Sequence, residues 1–291
     1  MAGTVRTVHV GQHHFEVLEA GVGGVPLLMV HGFTGAKEDF GPAVEPLADA
    51  GYWVVAPDLR GHGGSHAPAA EDDYSLRHFA DDLHALVAAL GWERFDLLGH
   101  SMGGMIAQVV AIDLHGAGTD SAGAASPMVH RLVLMDTCHG PVEGLDLGII
   151  ELGVEIARSQ GLGALLEVTK AFGPVFDSQA HAELLARDPD FEAFEDSKFL
   201  ASSAAMWSKM AVELYDPEDR LDALSAIDVD TLVIVGDEDA RFIGPSERIA
   251  AAMPQATLAV VPRAGHSPQF DHPEAWWDAL YGFLGAAVPV A

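Results

Sequence analysis

Two hydrophobic patterns alternate along this chain. Short, mostly unbroken apolar runs occupy residues 26–30, 52–56, 95–98, 131–135, 231–235 and 257–261. Runs of this length are expected for strands covered on both faces. Between them lie stretches with helical spacing: residues 40–50, 75–90, 102–114, 245–252 and 273–284. The clearest has apolar residues at 76, 79, 83, 86, 87 and 90 and stops at Gly91, a residue suited to ending a helix in the left-handed conformation. Residues 4–10 and 15–20 predict two further strands joined by Gly11-Gln12-His13, and residues 21–24 predict a turn. The order β-β-β-α-β-α-β-α-β implies an α/β fold: a mostly parallel, doubly wound sheet with helices on both faces.

The alternation is interrupted twice. Residues 115–130 are rich in Gly, Ala and Ser and longer than a strand–helix unit needs, so they read as a surface loop insertion. Residues 140–222 contain no convincing strand, and helical spacing recurs at 147–159, 163–172, 178–187 and 198–214. A helical insertion therefore divides an α/β core made of residues 1–139 and 223–291.

The candidate chemistry sits just past the strands. Gly99-His100-Ser101-Met102-Gly103 is a Gly-x-Ser-x-Gly motif between a predicted strand and a predicted helix. A strained turn in that setting exposes the serine oxygen, and side chains at either glycine would clash across it. A serine hydroxyl is a poor nucleophile at neutral pH and needs a base with an orienting acid. Past the strand at 231–235 come Asp237, Glu238 and Asp239; past the strand at 257–261 comes His266. The C-terminal ends of parallel strands are where open sheets hold their sites. His266 is the expected base. Asp239 is the favoured acid, with Asp237, Glu238 and Asp136 as alternatives. The segment His31-Gly32-Phe33-Thr34-Gly35 follows another strand, and the backbone N–H groups of Phe33 and Met102 are the natural oxyanion donors. The second of these lies at a helix N-terminus.

Composition narrows the function classes. The 291 residues carry a formal net charge of −28. Such a chain repels a phosphate backbone, so nucleic acid is excluded as a partner, and an anionic membrane surface is disfavoured. No 18-residue apolar window and no basic-then-apolar leader is present, so the expectation is a cytoplasmic protein without a membrane span. The single cysteine, Cys138, excludes a disulfide framework or a cysteine metal site, and it reads as a buried structural thiol. His62 and His66 are separated by glycines rather than by a helical turn, which argues against a metal pair. No cofactor and no metal are expected.

Together these segments make the chain resemble the α/β-hydrolase fold superfamily. The matching stretches are residues 31–35, 58–65 (Asp-Leu-Arg-Gly-His-Gly-Gly-Ser), 99–104, 236–239 and 265–267. The resemblance implies Ser101 as nucleophile, Asp239 as acid, His266 as base and Phe33 and Met102 as oxyanion donors. It equates residues 140–222 with the family's variable helical cap. His31 and residues 58–65 match segments that shape or support the site. Haloalkane dehalogenases and epoxide hydrolases of this fold place Asp where Ser101 stands, and this chain departs from them there.

Hydrolysis of a carboxylic ester or lactone through an acyl-serine intermediate is the leading expectation. The chain also resembles C–C bond hydrolases of ring-cleavage products, and His-Gly-Phe-Thr-Gly is similar to a lyase of menaquinone biosynthesis. Such anionic substrates call for pocket arginines; the insertion offers Arg158, Arg187 and Arg220, and the core offers Arg60, Arg241 and Arg263. A cofactor-free haloperoxidase or perhydrolase side activity shares the serine triad, and a non-catalytic ligand receptor on the same fold is the reading from another class. Phe172, Phe176, Phe194, Phe199, Met206, Trp207 and Met210 give the insertion its apolar faces. Most are expected to pack its helices and a few to line a hydrophobic pocket over Ser101. The acidity is spread evenly, with 17 acidic and six basic residues in 140–222. The expected partner is a small, neutral, apolar substrate, and the expected assembly a monomer or homodimer.

Overall fold

The computed structural model describes residues 3–116, 118–119, 125–126, 128–142, 144–172 and 178–285. Each of the eight predicted strands forms. They are β1 (Thr4–Val10), β2 (His13–Ala20), β3 (Val25–Val30), β4 (Tyr52–Pro57), β5 (Phe95–His100), and, after a small pair β6 (Gly118–Thr119) and β7 (Ala125–Ser126), β8 (Val129–Met135), β9 (Asp230–Gly236) and β10 (Ala256–Val261). The main sheet runs β1-β2-β4-β3-β5-β8-β9-β10. β1 and β2 pair antiparallel, as do β2 and β4, and the remaining neighbours are parallel. β6 and β7 pair with each other inside the predicted loop at 115–130.

The order decides where a site can form. From β3 the chain moves outward to β4, then returns past β3 to β5 and continues the other way. Loops leaving β3 and β5 therefore diverge and open a crevice at the carboxyl ends of adjacent strands. Residues 31–35 and Ser101 both lie there.

Both faces of the sheet are covered. Helices α1 (Gly41–Asp49) and α12 (Pro273–Leu284) bury Val44, Leu47, Trp276 and Leu280 against one face. Helices α2 (Leu76–Leu90), α3 (Met102–Asp113) and α10 (Ala240–Ala252) bury Phe79, Leu83, Ile106, Val110, Phe242 and Ile249 against the other. Each side chain of that size, fully removed from water, contributes roughly 1.5–3 kcal/mol before entropy is counted. α3 is buried on most of its circumference, which is why its sequence is apolar without a clear polar stripe.

Between β8 and β9 run α4 (Leu147–Gln160), α5 (Leu162–Phe172), α6 (Gln179–Arg187), α7 (Phe191–Leu200), α8 (Ala204–Glu213) and α9 (Leu221–Ser225). Here the predicted boundaries need correction. The single helix expected over 198–214 is two, because Ser203 caps α8 by accepting the Met206 N–H, while its own N–H donates to the Gly61 carbonyl at 2.7 Å. α10 starts at Ala240 rather than at Pro245, and Pro245 lies inside the helix at the loss of one backbone bond. A short α11 (Pro268–Asp271) precedes α12. No helix among the described residues is long and apolar enough to cross a membrane.

Candidate active site

Ser101 stands between β5 and α3 with φ +55° and ψ −118°, a left-handed conformation that costs a non-glycine residue on the order of 1–3 kcal/mol. The turn is held on several sides. The Ser101 N–H donates to the Met135 carbonyl at 2.9 Å, and the Thr137 hydroxyl donates to the Ser101 carbonyl at 2.7 Å. The flanking glycines are required by space. A Cβ on Gly99 would lie 2.2 Å from the Gly103 carbonyl oxygen, and one on Gly103 would lie 2.3 Å from the Val30 carbonyl oxygen. The glycines of the motif thus let α3 start against both β5 and β3.

The predicted partners converge on this serine. His266 Nε2 is 2.9 Å from Ser101 Oγ, and His266 Nδ1 is 2.7 Å from Asp239 Oδ2. With an ionised carboxylate at Asp239, Nδ1 carries the proton and Nε2 is the free lone pair that faces the serine hydroxyl. Asp239 is buried, while Ser101 and His266 are partly exposed. The alternative acids are engaged elsewhere: Asp237 Oδ1 accepts the Ala264 N–H at 3.2 Å, and Glu238 Oε2 accepts the Ala180 N–H at 2.8 Å. Asp136 is a different case, for it lies beside Asp239. One oxygen of each carboxylate and one nitrogen of His266 fall within 4.8 Å of one another. In this cluster His266 bonds Asp239 through Nδ1 and faces Ser101 Oγ through Nε2.

Of the two expected oxyanion donors, Met102 directly follows Ser101, and Phe33 directly follows Gly32 in the loop after β3. Gly32 is so close that a Cβ on it would lie 3.0 Å from the Ser101 Cβ. Met102 is the first residue of α3, so its N–H has no intrahelical acceptor. The segment from His31 to Gly35 is tied to the loop after β4. His31 Nδ1 donates to the Gly32 carbonyl at 2.8 Å, and its Nε2 accepts the Leu59 N–H at 3.0 Å. Burial lowers the His31 pKa, consistent with the neutral tautomer these bonds require. Asp58 accepts the N–H of Lys37, the Lys37 ammonium and the Gly64 N–H. Burial alone would raise its pKa, but these two N–H groups and the Lys37 ammonium hold it below the usual carboxylate range. His31 and residues 58–65 are thus a brace beneath the site. His62 stacks edge-on against His31 at 4.8 Å rather than pairing with His66.

Two supporting residues escaped sequence reasoning. His100 fills the variable position of the motif, and its Nε2 donates to the His266 backbone carbonyl at 2.7 Å. Burial, with His266 next in importance, pushes its pKa down to about 3, so it stays neutral. Phe242 of α10 lies 4.7 Å from the His266 ring. A histidine directly before the serine was the only available signal, and nothing in the sequence told it from the other 14.

From the insertion, Trp207 of α8 reaches Phe33, with ring centroids 5.8 Å apart. Met206 and Met210 are fully buried, Phe194 and Phe199 half-buried, and Phe172 is 86% exposed. Phe172 therefore neither packs the helices nor lines a pocket. Phe176 lies outside the described residues. Cys138 is buried, and burial pushes its thiol up to about 12, as a structural thiol requires.

With this geometry in place, the relatives are informative. The family model described as alpha/beta hydrolase fold matches residues 25–273. Epoxide hydrolase A of Mycobacterium tuberculosis is 38% identical over 106 residues, which are 36% of this chain and 33% of that enzyme, so the chain spans about a third of that relative. Among solved structures, an enol-lactonase from Burkholderia xenovorans superposes with a TM-score of 0.78 at 21% identity, over 96% of this chain and 99% of the other, a likeness of fold. A thermophilic esterase from Thermogutta terrifontis superposes with a TM-score of 0.77 at 26% identity, over 98% of both chains. The match over 25–273, the sheet order and the Ser101 turn agree, and the chain belongs to the alpha/beta hydrolase fold family.

Proposed function

We propose that this protein is a serine hydrolase that cleaves a carboxylic ester or lactone carrying a hydrophobic group, through an acyl-serine intermediate. The family supports a hydrolase. The observation that carries the finer reading is the unbroken line Asp239–His266–Ser101, at 2.7 and 2.9 Å, ending on a strained serine at the start of a buried helix.

The steps follow from that line. Ser101 Oγ attacks the substrate carbonyl as His266 Nε2 takes its proton. Asp239 holds the imidazole in the tautomer with Nδ1–H and stabilises the imidazolium. The oxyanion forms beside the N–H groups of Phe33 and Met102, and a helix N-terminus adds partial positive charge there. His266 then gives the proton to the departing alcohol. A water, deprotonated by the same nitrogen, releases the acid from Ser101.

The preference for a neutral substrate rests on the arginines. Arg60 pairs with Asp82 and Arg158 with Glu71. Arg220 donates to Gln108 and to the Glu218 carbonyl, Arg187 to the Phe270 carbonyl, and Arg263 to His272. Arg241 is likewise not free. A substrate carboxylate would have to compete with these partners at each arginine but Arg220, whose buried Nη2 has none among the described residues, which weighs against the dienoate hydrolases. Serine at position 101 weighs against epoxide and haloalkane chemistry despite the partial match to an epoxide hydrolase.

A panel of p-nitrophenyl esters graded in acyl length, with Ser101→Ala as control, tests the reading. The expectation is turnover of short to medium esters and a loss in the variant on the order of 10⁴-fold or more, with an unchanged thermal transition. Undiminished turnover in Ser101→Ala, or turnover of dienoates with none of simple esters, would overturn it.

A further inference from the structure

Asp136 is a buried carboxyl for which the proposed steps have no use. It follows β8 with φ +44°, and its N–H donates to the Ile234 carbonyl at 2.9 Å. Its side chain has no solvent exposure. Oδ1 accepts the Gly236 N–H at 2.9 Å, whereas Oδ2 finds no donor among the described residues. None of the described lysines and arginines forms an ion pair with it. Its neighbours are instead the Asp239 carboxylate and His266, within 4.8 Å, and Asp271 adds a further negative charge. Two adjacent buried carboxylates cannot both ionise cheaply, and the one without a cationic or imidazole partner retains its proton.

We infer that Asp136 is a positioning residue: its neutral carboxyl donates from Oδ2 to Asp239 and so fixes the acid that orients His266. The inference rests on the Ser101–His266–Asp239 reading. Burial, reinforced by the Asp239 charge, holds the Asp136 carboxyl well above the usual carboxylate range. The arrangement gives Asp239 a second anchor besides His266, without adding a charge to the site. The groups that face Asp136 are Asp239, His266 and Asp271; Gly236 contributes only its N–H.

Asp136→Asn is the informative variant, because an amide imitates the neutral acid. Its oxygen accepts the Gly236 N–H and its NH₂ donates to Asp239. Asp136→Ala removes both bonds. Two readouts are needed. In the pH dependence of kcat/KM for a p-nitrophenyl ester, the acid limb reports the free-enzyme His266. The expected result is that Asp136→Ala lowers kcat about 10- to 100-fold with little change in KM, that Asn restores most of that loss, and that the limb of Asp136→Asn stays within about 0.3 pH units of wild type. A charged Asp136 would give the opposite: removing a negative charge so near His266 would drop the limb by about one unit or more.

The second readout is urea unfolding of wild type and Asp136→Asn between about pH 4.5 and 7. A carboxyl that stays protonated only when folded makes stability fall as pH rises. The folding constant of the variant relative to wild type should therefore climb about tenfold per pH unit while Asp136 keeps its proton. A flat ratio would overturn the inference even if Asp136→Ala fails to fold. The unfolding comparison does not depend on Ser101 reacting, so an inert Ser101 would count against the hydrolase reading alone.

Discussion

The end of the sheet that carries Ser101 and the helical insertion after β8 are built on different terms. Strands β3, β4, β5, β8 and β9 are buried along almost their full length. Each chemical group at their ends is set by backbone bonds, close glycine contacts or buried polar braces. The insertion is looser. α6 buries only Ala180 and Leu184, and α7 only Phe191. Ile149, Leu152 and Phe172 stand 71%, 52% and 86% exposed. Its ties to the core are largely polar: Lys198 to Asp39, Arg158 to Glu71, Glu213 to the Leu76 N–H and Glu238 to the Ala180 N–H. The exception is α8, whose Met206 and Met210 sink into the main core beside Leu59 and Tyr74 and whose Trp207 meets Phe33. The contrast sets a rigid sheet end, which holds Ser101 and its partners, against a loosely attached insertion with α8 as its keel.

The largest effect that would sharpen this comparison belongs to the rigid end. Asp239→Asn should cut kcat about 10⁴-fold, because the amide favours the wrong imidazole tautomer, while the urea midpoint barely moves. A loss below tenfold would mean that the sheet end does not fix the chemistry. Next comes the keel against its neighbours. Met206→Ala should destabilise by about 2–5 kcal/mol, as for other buried large-to-small changes, whereas Phe172→Ala should stay within about 0.5 kcal/mol. Equal effects would erase the distinction drawn within the insertion.

Acid should act on the rigid half as well. Burial, the largest cause in both, pushes His62 and His100 down to about 3. The unfolded chain would bind protons at both near pH 6.5. Between these limits the unfolded state holds two more protons, so stability rises with pH. These two histidines alone should contribute a loss of about 2.7 kcal/mol per unit as pH falls from about 6 towards 4; buried His31 acts in the same sense and Asp136 in the opposite one. Replacing either histidine by Gln should reduce the slope by about 1.4 kcal/mol per unit. The smallest effect is expected in the insertion. Trp207→Ala should shift the preferred acyl length on an ester panel by about tenfold or less in kcat/KM, leaving kcat for the best ester nearly unchanged.

The sheet and most of the candidate site were legible because their signals are local. Each central strand is a short apolar run, and the serine, acid and base each follow one. The glycines at 99 and 103 announce the turn directly. What escaped was set by contacts across the fold. His100 looks like any motif spacer until its ring is seen to hold the His266 carbonyl. Asp136 reads as a competing acid, yet in the structure Asp239 bonds His266 Nδ1 and Asp136 lies beside the pair, a choice set by how the loops after β8 and β9 pack together. The break between α7 and α8 comes from Ser203 bonding to Gly61, a partner 142 residues away. The exposure of Phe172 could not be read either, since periodicity tells which residues share a helix face and not what that face meets.

Activation of Ser101 by the line to Asp239 is the premise of the proposed chemistry. Treating the native protein with a fluorophosphonate and mapping the adduct by peptide mass spectrometry tests this directly. The expected result is rapid, stoichiometric modification of Ser101 that slows by several orders of magnitude in Asp239→Asn. Ester turnover that persists while Ser101 remains unmodified, or an adduct on a different residue, would contradict it.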